Sequence, residues 1–271
     1  MALIAVNGAE LDVRDNGAGD TVLFIHGGMG DECAAVVSEP PLLNNYRVID
    51  YHRRGWGNSS CPETPITIEQ QSVDAAAILR HLGLKRAHVV GQSYGGVIAL
   101  QLTQDAPELV HTLALLEPAL PSVLFNSADF GAMFGEVGNK YASGDKEGAI
   151  ETFASEVGGA NFRAQFDKTL PPGHFERWVA AGDTMFVSEQ GSLDNWSFTA
   201  DQAAQFTRPV LNIRGESTRP YFTETYETVR TWFPQAENVV LPDANHCILQ
   251  TNPGGAAERL ASFFASHPTE G

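Results

Sequence analysis

Ala87-His88-Val89-Val90-Gly91-Gln92-Ser93-Tyr94-Gly95-Gly96-Val97-Ile98-Ala99-Leu100 is the stretch on which the fold turns. Residues 87–91 are a short apolar run, as a strand buried on both faces is. Residues 96–104 read as an apolar helix that ends before Pro107. Between the two, Gly91-Gln92-Ser93-Tyr94-Gly95 fits G-x-S-x-G. That pattern alone is weak in a chain with 26 glycines among 271 residues. A strand before it and a helix after it give it meaning. In such a turn the serine is held strained, and neighbours without side chains let strand and helix backbones approach. Gly91, Gly95 and Gly96 supply this, and the helix start favours developing negative charge. Ser93 is therefore the candidate nucleophile.

The same alternation extends both ways. Residues 11–14 alternate apolar and polar, and residues 21–25 form a continuous apolar run ending in His26-Gly27-Gly28-Met29-Gly30. Residues 46–51 are a further strand-like run, ending in the Gly-rich Arg54-Gly55-Trp56-Gly57-Asn58-Ser59. Residues 68–82 have helical periodicity and stop at Gly83. Residues 112–117 read as a strand stopped by Pro118. The pattern resumes with a strand at 209–214, a helix near 221–232, a strand at 237–241 and a helix at 252–264. Fully apolar strands alternating with helices predict an α/β fold, a mostly parallel central sheet with helices on both faces.

Between Leu120 and Phe206 the alternation stops. Pro171-Pro172-Gly173, Gly158-Gly159 and Gly144 break short helical stretches, and ten of the fifteen Phe fall here. Too many aromatics for a disordered loop, and too little β-branched text for strands, predict an inserted helical cap. The predicted division is residues 1–119 and 207–271 as the α/β core and 120–206 as the cap. Some cap aromatics pack among themselves, and others line a ligand cavity where cap meets sheet.

Composition limits the partners. Apolar residues are 43% and charged residues 18%, a globular balance. With 17 Lys+Arg against 33 Asp+Glu the formal charge is −16, which argues against nucleic acid and against an anionic membrane surface. Cys33, Cys61 and Cys247 are scattered and without C-x-x-C spacing, so neither a disulfide framework nor a zinc site is expected. The N-terminal residues carry no basic run and too short an apolar one for a signal peptide, and no stretch has the length of a membrane helix. A cytoplasmic protein with a small-molecule partner is the expectation, with homo-oligomerisation left open.

His246, in Leu241-Pro242-Asp243-Ala244-Asn245-His246-Cys247, follows the last strand, where the chain order serine, acid, histidine places the general base. The N–H of Gly28 or Met29, with that of Tyr94, is the expected pair of oxyanion donors. His26 is read as serving loop geometry, and Asp50, Arg54 and Asn58 as stabilising the Gly-rich turn. Cys247 is read as a small buried hydrophobe.

Taken together, residues 21–30, Asp50-x-x-x-Arg54-Gly55-Trp56-Gly57-Asn58-Ser59, residues 91–96 and residues 242–246 resemble the α/β-hydrolase superfamily. The resemblance covers nearly the whole core and leaves the cap unmatched. It implies a serine hydrolase with a catalytic acid, in most members an Asp in the loop after the strand that follows the cap. Here that loop, Arg214-Gly215-Glu216-Ser217-Thr218-Arg219-Pro220, contains no Asp. Some members, including the zearalenone-lactone hydrolases, carry a Glu at the end of the strand after the nucleophile helix, and Leu116-Glu117-Pro118 resembles theirs. Glu117 is the expected acid and Glu216 the alternative. The resemblance implies an esterase or lactonase working without metal or cofactor, and the aromatic, Met-containing composition of the cap implies an apolar or aromatic small-molecule substrate. C–C bond hydrolysis, cofactor-free perhydrolysis and a non-catalytic ligand receptor on the same scaffold stay open as alternatives.

Overall fold

Alternate residues of the central strands pack on opposite sides of one sheet. On β3 (Thr21–Ile25), Leu23 and Ile25 join one apolar cluster while Val22 and Phe24 join the other. On β6 (Val110–Leu116), Leu113 and Leu115 likewise oppose Ala114 and Leu116. Helices Ile68–His81 and Tyr94–Asp105 cover the first face, and helix Pro253–Ala265 covers the second. Burial on both sides is why these runs are unbroken apolar text instead of alternating.

The computed structural model describes residues 2–61 and 65–269. The remaining strands are β1 (Ala2–Val6), β2 (Ala9–Asn16), β4 (Arg47–Tyr51), β5 (Ala87–Gln92), β7 (Val210–Gly215) and β8 (Glu237–Leu241). The sheet order is β1-β2-β4-β3-β5-β6-β7-β8. β2 pairs antiparallel with β1 and β4, and every other pairing is parallel. β1 was not expected. Its hairpin to β2 turns at Asn7 (φ 48°) and Gly8 (φ 74°), the left-handed pair that an Asn-Gly turn provides.

Between β6 and β7 the described elements are all helical, from Pro121–Leu124 through Ala128–Ala142 and Lys146–Gly158 to Ala200–Ala203. Phe130, Phe162, Phe166 and Trp178 form an apolar cluster that extends onto Met29, Trp56, Tyr221, Phe222 and Cys247. Trp196, Phe198 and Phe206 pack instead with the sheet-side cluster. Among the described residues no helix is long and apolar enough to cross a membrane.

Candidate active site

Ser93 sits between β5 and helix Tyr94–Asp105 with φ 52° and ψ −119°, a conformation costing on the order of 1–3 kcal/mol. The glycines around it show what holds it there. A Cβ on Gly95 would lie 2.1 Å from Ile25 O, and one on Gly91 would lie 2.5 Å from Gly95 O. A Cβ on Gly96 would lie 2.7 Å from Pro118 Cβ. The helix therefore touches β3 and the chain after β6 at van der Waals distance. The Ser93 N–H donates to Leu116 O at 3.0 Å, and Ser93 O accepts from Ala119 N at 3.0 Å. These bonds lock the turn to the end of β6.

His246 arrives from the loop after β8, seated on Gly215, where a Cβ would lie 2.5 Å from Ala244 O and Asn245 O. Gln92 Nε2 donates to His246 O at 2.9 Å. The imidazole Nε2 lies 3.0 Å from Ser93 Oγ and Nδ1 lies 2.7 Å from Glu117 Oε2. The ring stacks on Phe222, with centroids 3.5 Å apart and planes 9° from parallel.

Glu117, one residue past β6, has φ 46° and is fully buried. A buried carboxylate is tolerated only when hydrogen-bonded. Gly215 N donates to its Oε1 at 2.8 Å, and Thr218 Oγ1 donates to its Oε2 at 2.8 Å. Thr218 thus stands in the loop where the resemblance places an Asp, and gives a hydroxyl to a carboxylate arriving from the neighbouring strand. Glu216 is exposed on that same loop. The structure brings Ser93, His246 and Glu117 into one hydrogen-bonded chain and leaves Glu216 outside it.

Gly28 and Tyr94 line a cavity with Ser93 and His246. As the first residue of its helix, Tyr94 has a backbone N–H without an intrahelical acceptor. The Met29 N–H instead donates to Glu32 Oε1 at 3.2 Å. Of the two alternatives for the second donor, Met29 is thus engaged elsewhere and Gly28 faces the cavity. Glu32 is buried, and burial pushes its carboxyl up to about 7 against the pull of Arg53 and the Gly27 and Met29 amides.

The cavity, partly open to solvent, has a volume of about 60 Å³. Leu124, Phe130, Phe134, Phe153, Val157 and Met185 make its wall apolar, with Glu189 and Gln190 as polar members. Cys247 is buried in an apolar cluster, and burial raises its thiol well above the usual range.

Arg54 and Asn58 anchor the Gly-rich turn to its surroundings: Arg54 forks onto Asp74 at 2.6 and 2.8 Å, and Asn58 donates to Asp12 at 2.9 Å. Asp50, on β4, faces Arg14 of β2 at 3.4 Å. Ser59 Oγ, donating to His52 O at 2.6 Å, adds a brace within the turn. The sequence reading missed Arg53, Thr218, Glu189 and Phe222. Arg53 and Glu189 pair across 136 positions, a separation no local pattern encodes.

Residues 20–253 match the family described as alpha/beta hydrolase fold. The dihydrolipoyllysine-residue acetyltransferase component of the acetoin cleaving system of Cupriavidus necator is 39% identical over 105 residues, 39% of this chain and 28% of that protein. The chain therefore spans under a third of that relative's length. The 2-(acetamidomethylene)succinate hydrolase of Mesorhizobium japonicum is 23% identical over 263 residues, 94% of this chain and 91% of that protein. Among solved structures, the enol-lactonase from Burkholderia xenovorans LB400 superposes with a TM-score of 0.80 at 20% identity, covering 97% of this chain and 100% of that one. Esterases are among the other matching structures.

Proposed function

This chain belongs to the alpha/beta hydrolase fold family, and on that premise we propose that it is a serine hydrolase of carboxylic esters or lactones. The observation that carries the reading is the unbroken chain Ser93 Oγ, His246 Nε2, His246 Nδ1, Glu117 Oε2 at the edge of an apolar cavity. Ser93 Oγ attacks the carbonyl carbon while its proton passes to His246 Nε2. Glu117 accepts the hydrogen bond from His246 Nδ1–H, which fixes the tautomer and stabilises the imidazolium. The Gly28 and Tyr94 N–H groups receive the developing oxyanion. His246 returns the proton to the leaving oxygen, and water then repeats the sequence on the acyl-enzyme.

In this reading the helical segment between β6 and β7 acts as a cap, and Phe130, Phe134 and Phe153 select an apolar or aromatic substrate. A net charge of −16 favours neutral esters over anionic ones. The absent Asp after β7 would favour a ligand receptor, but Glu117 Oε2, 2.7 Å from His246 Nδ1, supports a catalytic acid supplied from β6 instead. The test is turnover of a p-nitrophenyl ester by wild type and Ser93→Ala. Turnover that vanishes in Ser93→Ala supports the reading. Turnover surviving the substitution, or ligand binding without turnover in wild type, overturns it.

A further inference from the structure

We propose that Arg53, held by Glu189 from the helical segment, is a positioning residue that aims both oxyanion donors. The inference rests on the serine-hydrolase reading above. Gly27 C=O and Gly28 N–H belong to one trans peptide, so fixing the carbonyl fixes the N–H in the opposite direction. Two donors capture that carbonyl. Arg53 Nη2 donates to Gly27 O at 2.6 Å. The Arg53 backbone N–H donates to His26 Nε2 at 3.0 Å, so the imidazole proton sits on Nδ1, which donates to Gly27 O at 2.7 Å. With its carbonyl turned toward Arg53, the peptide sends the Gly28 N–H to the side of the cavity that Gly28 lines with Ser93.

The second donor leans on the same side chain. The Arg53 guanidinium lies over the Tyr94 ring, 4.6 Å from its centroid. Gln71 bridges them, accepting from Arg53 Nη1 at 2.6 Å and donating from Nε2 to Tyr94 OH at 3.0 Å. Tyr94 OH lies 2.5 Å from Ser192 Oγ, which donates to Glu189 O at 2.7 Å, so Tyr94 is the donor to Ser192. Arg53 is 1% exposed, and a buried guanidinium needs a counter-charge to stay in place. Glu189 Oε1 provides it while also accepting from Trp56 Nε1 at 2.9 Å. Glu189 and Ser192 both lie between β6 and β7, so seating of the helical segment completes the frame around both donors.

The experiment uses Glu189→Gln, which keeps an acceptor for Trp56 but removes the charge, and Arg53→Lys, which keeps the charge but loses the fork. On a p-nitrophenyl ester each should lower kcat on the order of 10- to 100-fold with KM within about threefold. Inhibition by an aryl trifluoromethyl ketone, whose hemiketal carries the oxyanion, should weaken by the same factor as kcat/KM falls. The double variant should be little worse than the worse single, because the two act as one unit. An unchanged kcat in folded Glu189→Gln overturns the proposal. So does a raised KM at constant kcat, which marks Glu189 as a substrate contact. A fall in kcat with unaltered ketone inhibition also overturns it, since a merely structural role would do that. Glu189→Gln carries the test alone if Arg53→Lys does not fold. Ser93→Ala in the same assay separates the two readings: if it stays active, the serine mechanism has failed, and if it is inactive while Glu189→Gln is fully active, only the positioning role has failed.

Discussion

Glu117 and Glu216 stand one residue past the ends of neighbouring strands, β6 and β7, at the same rim of the sheet. One is fully buried with three hydrogen-bond partners, and the other is exposed. Carboxylate chemistry is identical at the two sites, so the difference lies in the donors that meet it. The positive φ of Glu117 turns its side chain across to Gly215 N and Thr218 Oγ1, where His246 already points. Glu216 donates its backbone N–H to Leu241 O and leaves its side chain in water. In the proposed reading the catalytic acid is therefore specified by where donors converge, and not by which strand carries the carboxylate.

The largest effect should break the comparison if it is wrong. Glu117→Gln is expected to lower kcat by at least about 100-fold, since losing a triad acid while keeping its shape can cost as much as about 10,000-fold. Steady-state kinetics beside Glu216→Gln checks it, and the reverse order of losses would move the acid to Glu216. A third carboxylate sharpens the contrast. Glu32 is buried like Glu117 but has no imidazole partner, and its carboxyl is pushed up to about 7 from an ordinary 4.5. Between those values the folded chain keeps a proton that the unfolded chain has released. Stability should therefore fall as pH rises through this window, by on the order of 3 kcal/mol at most, and level off above it. Arg53, Glu189, Cys33 and Cys247 share this surrounding. Denaturant unfolding at pH 5 and pH 8 should show the slope in wild type and lose it in Glu32→Gln. Equal slopes would assign the pH dependence to another group.

Smaller effects follow from the donors. Thr218→Val keeps the shape and removes one hydrogen bond to Glu117, which should lower kcat about fivefold, the equivalent of about 1 kcal/mol. A loss as large as that of Glu117→Gln would mean that Thr218 itself touches the reacting atoms. Glu216→Gln should change kcat by less than about twofold, as exposed surface substitutions do.

The central parallel strands were legible because burial on both faces writes them as unbroken apolar text, and Ser93 because its turn demands glycines. β8 matched its expected span, Glu237–Leu241. β1 escaped because its alternation, Leu3 and Ala5 exposed against half-buried Ile4 and Val6, is written entirely in apolar residues, although Asn7-Gly8 was a readable hairpin signal. The placement of Glu117 was readable only through resemblance to a family. Phe222 on the His246 face and Glu189 on Arg53 are contacts between distant segments. Nothing in their local sequence distinguishes them from ordinary core and surface residues.

The chain leaves β6 through Glu117, Pro118, Ala119 and Leu120 and enters the first helix of the segment at Pro121. Pro118 packs against the backbone of Gly96, and Ala119 holds the carbonyl of Ser93. The catalytic acid of this reading is thus also the root of the helical segment between β6 and β7. A relative with its acid after β7 can exchange the whole insertion as a module and leave its acid in place. Here, a transplant that cuts before Pro118 severs the acid from its mooring, whereas one that cuts after Leu120 preserves it. The useful graft junction therefore begins at residue 121.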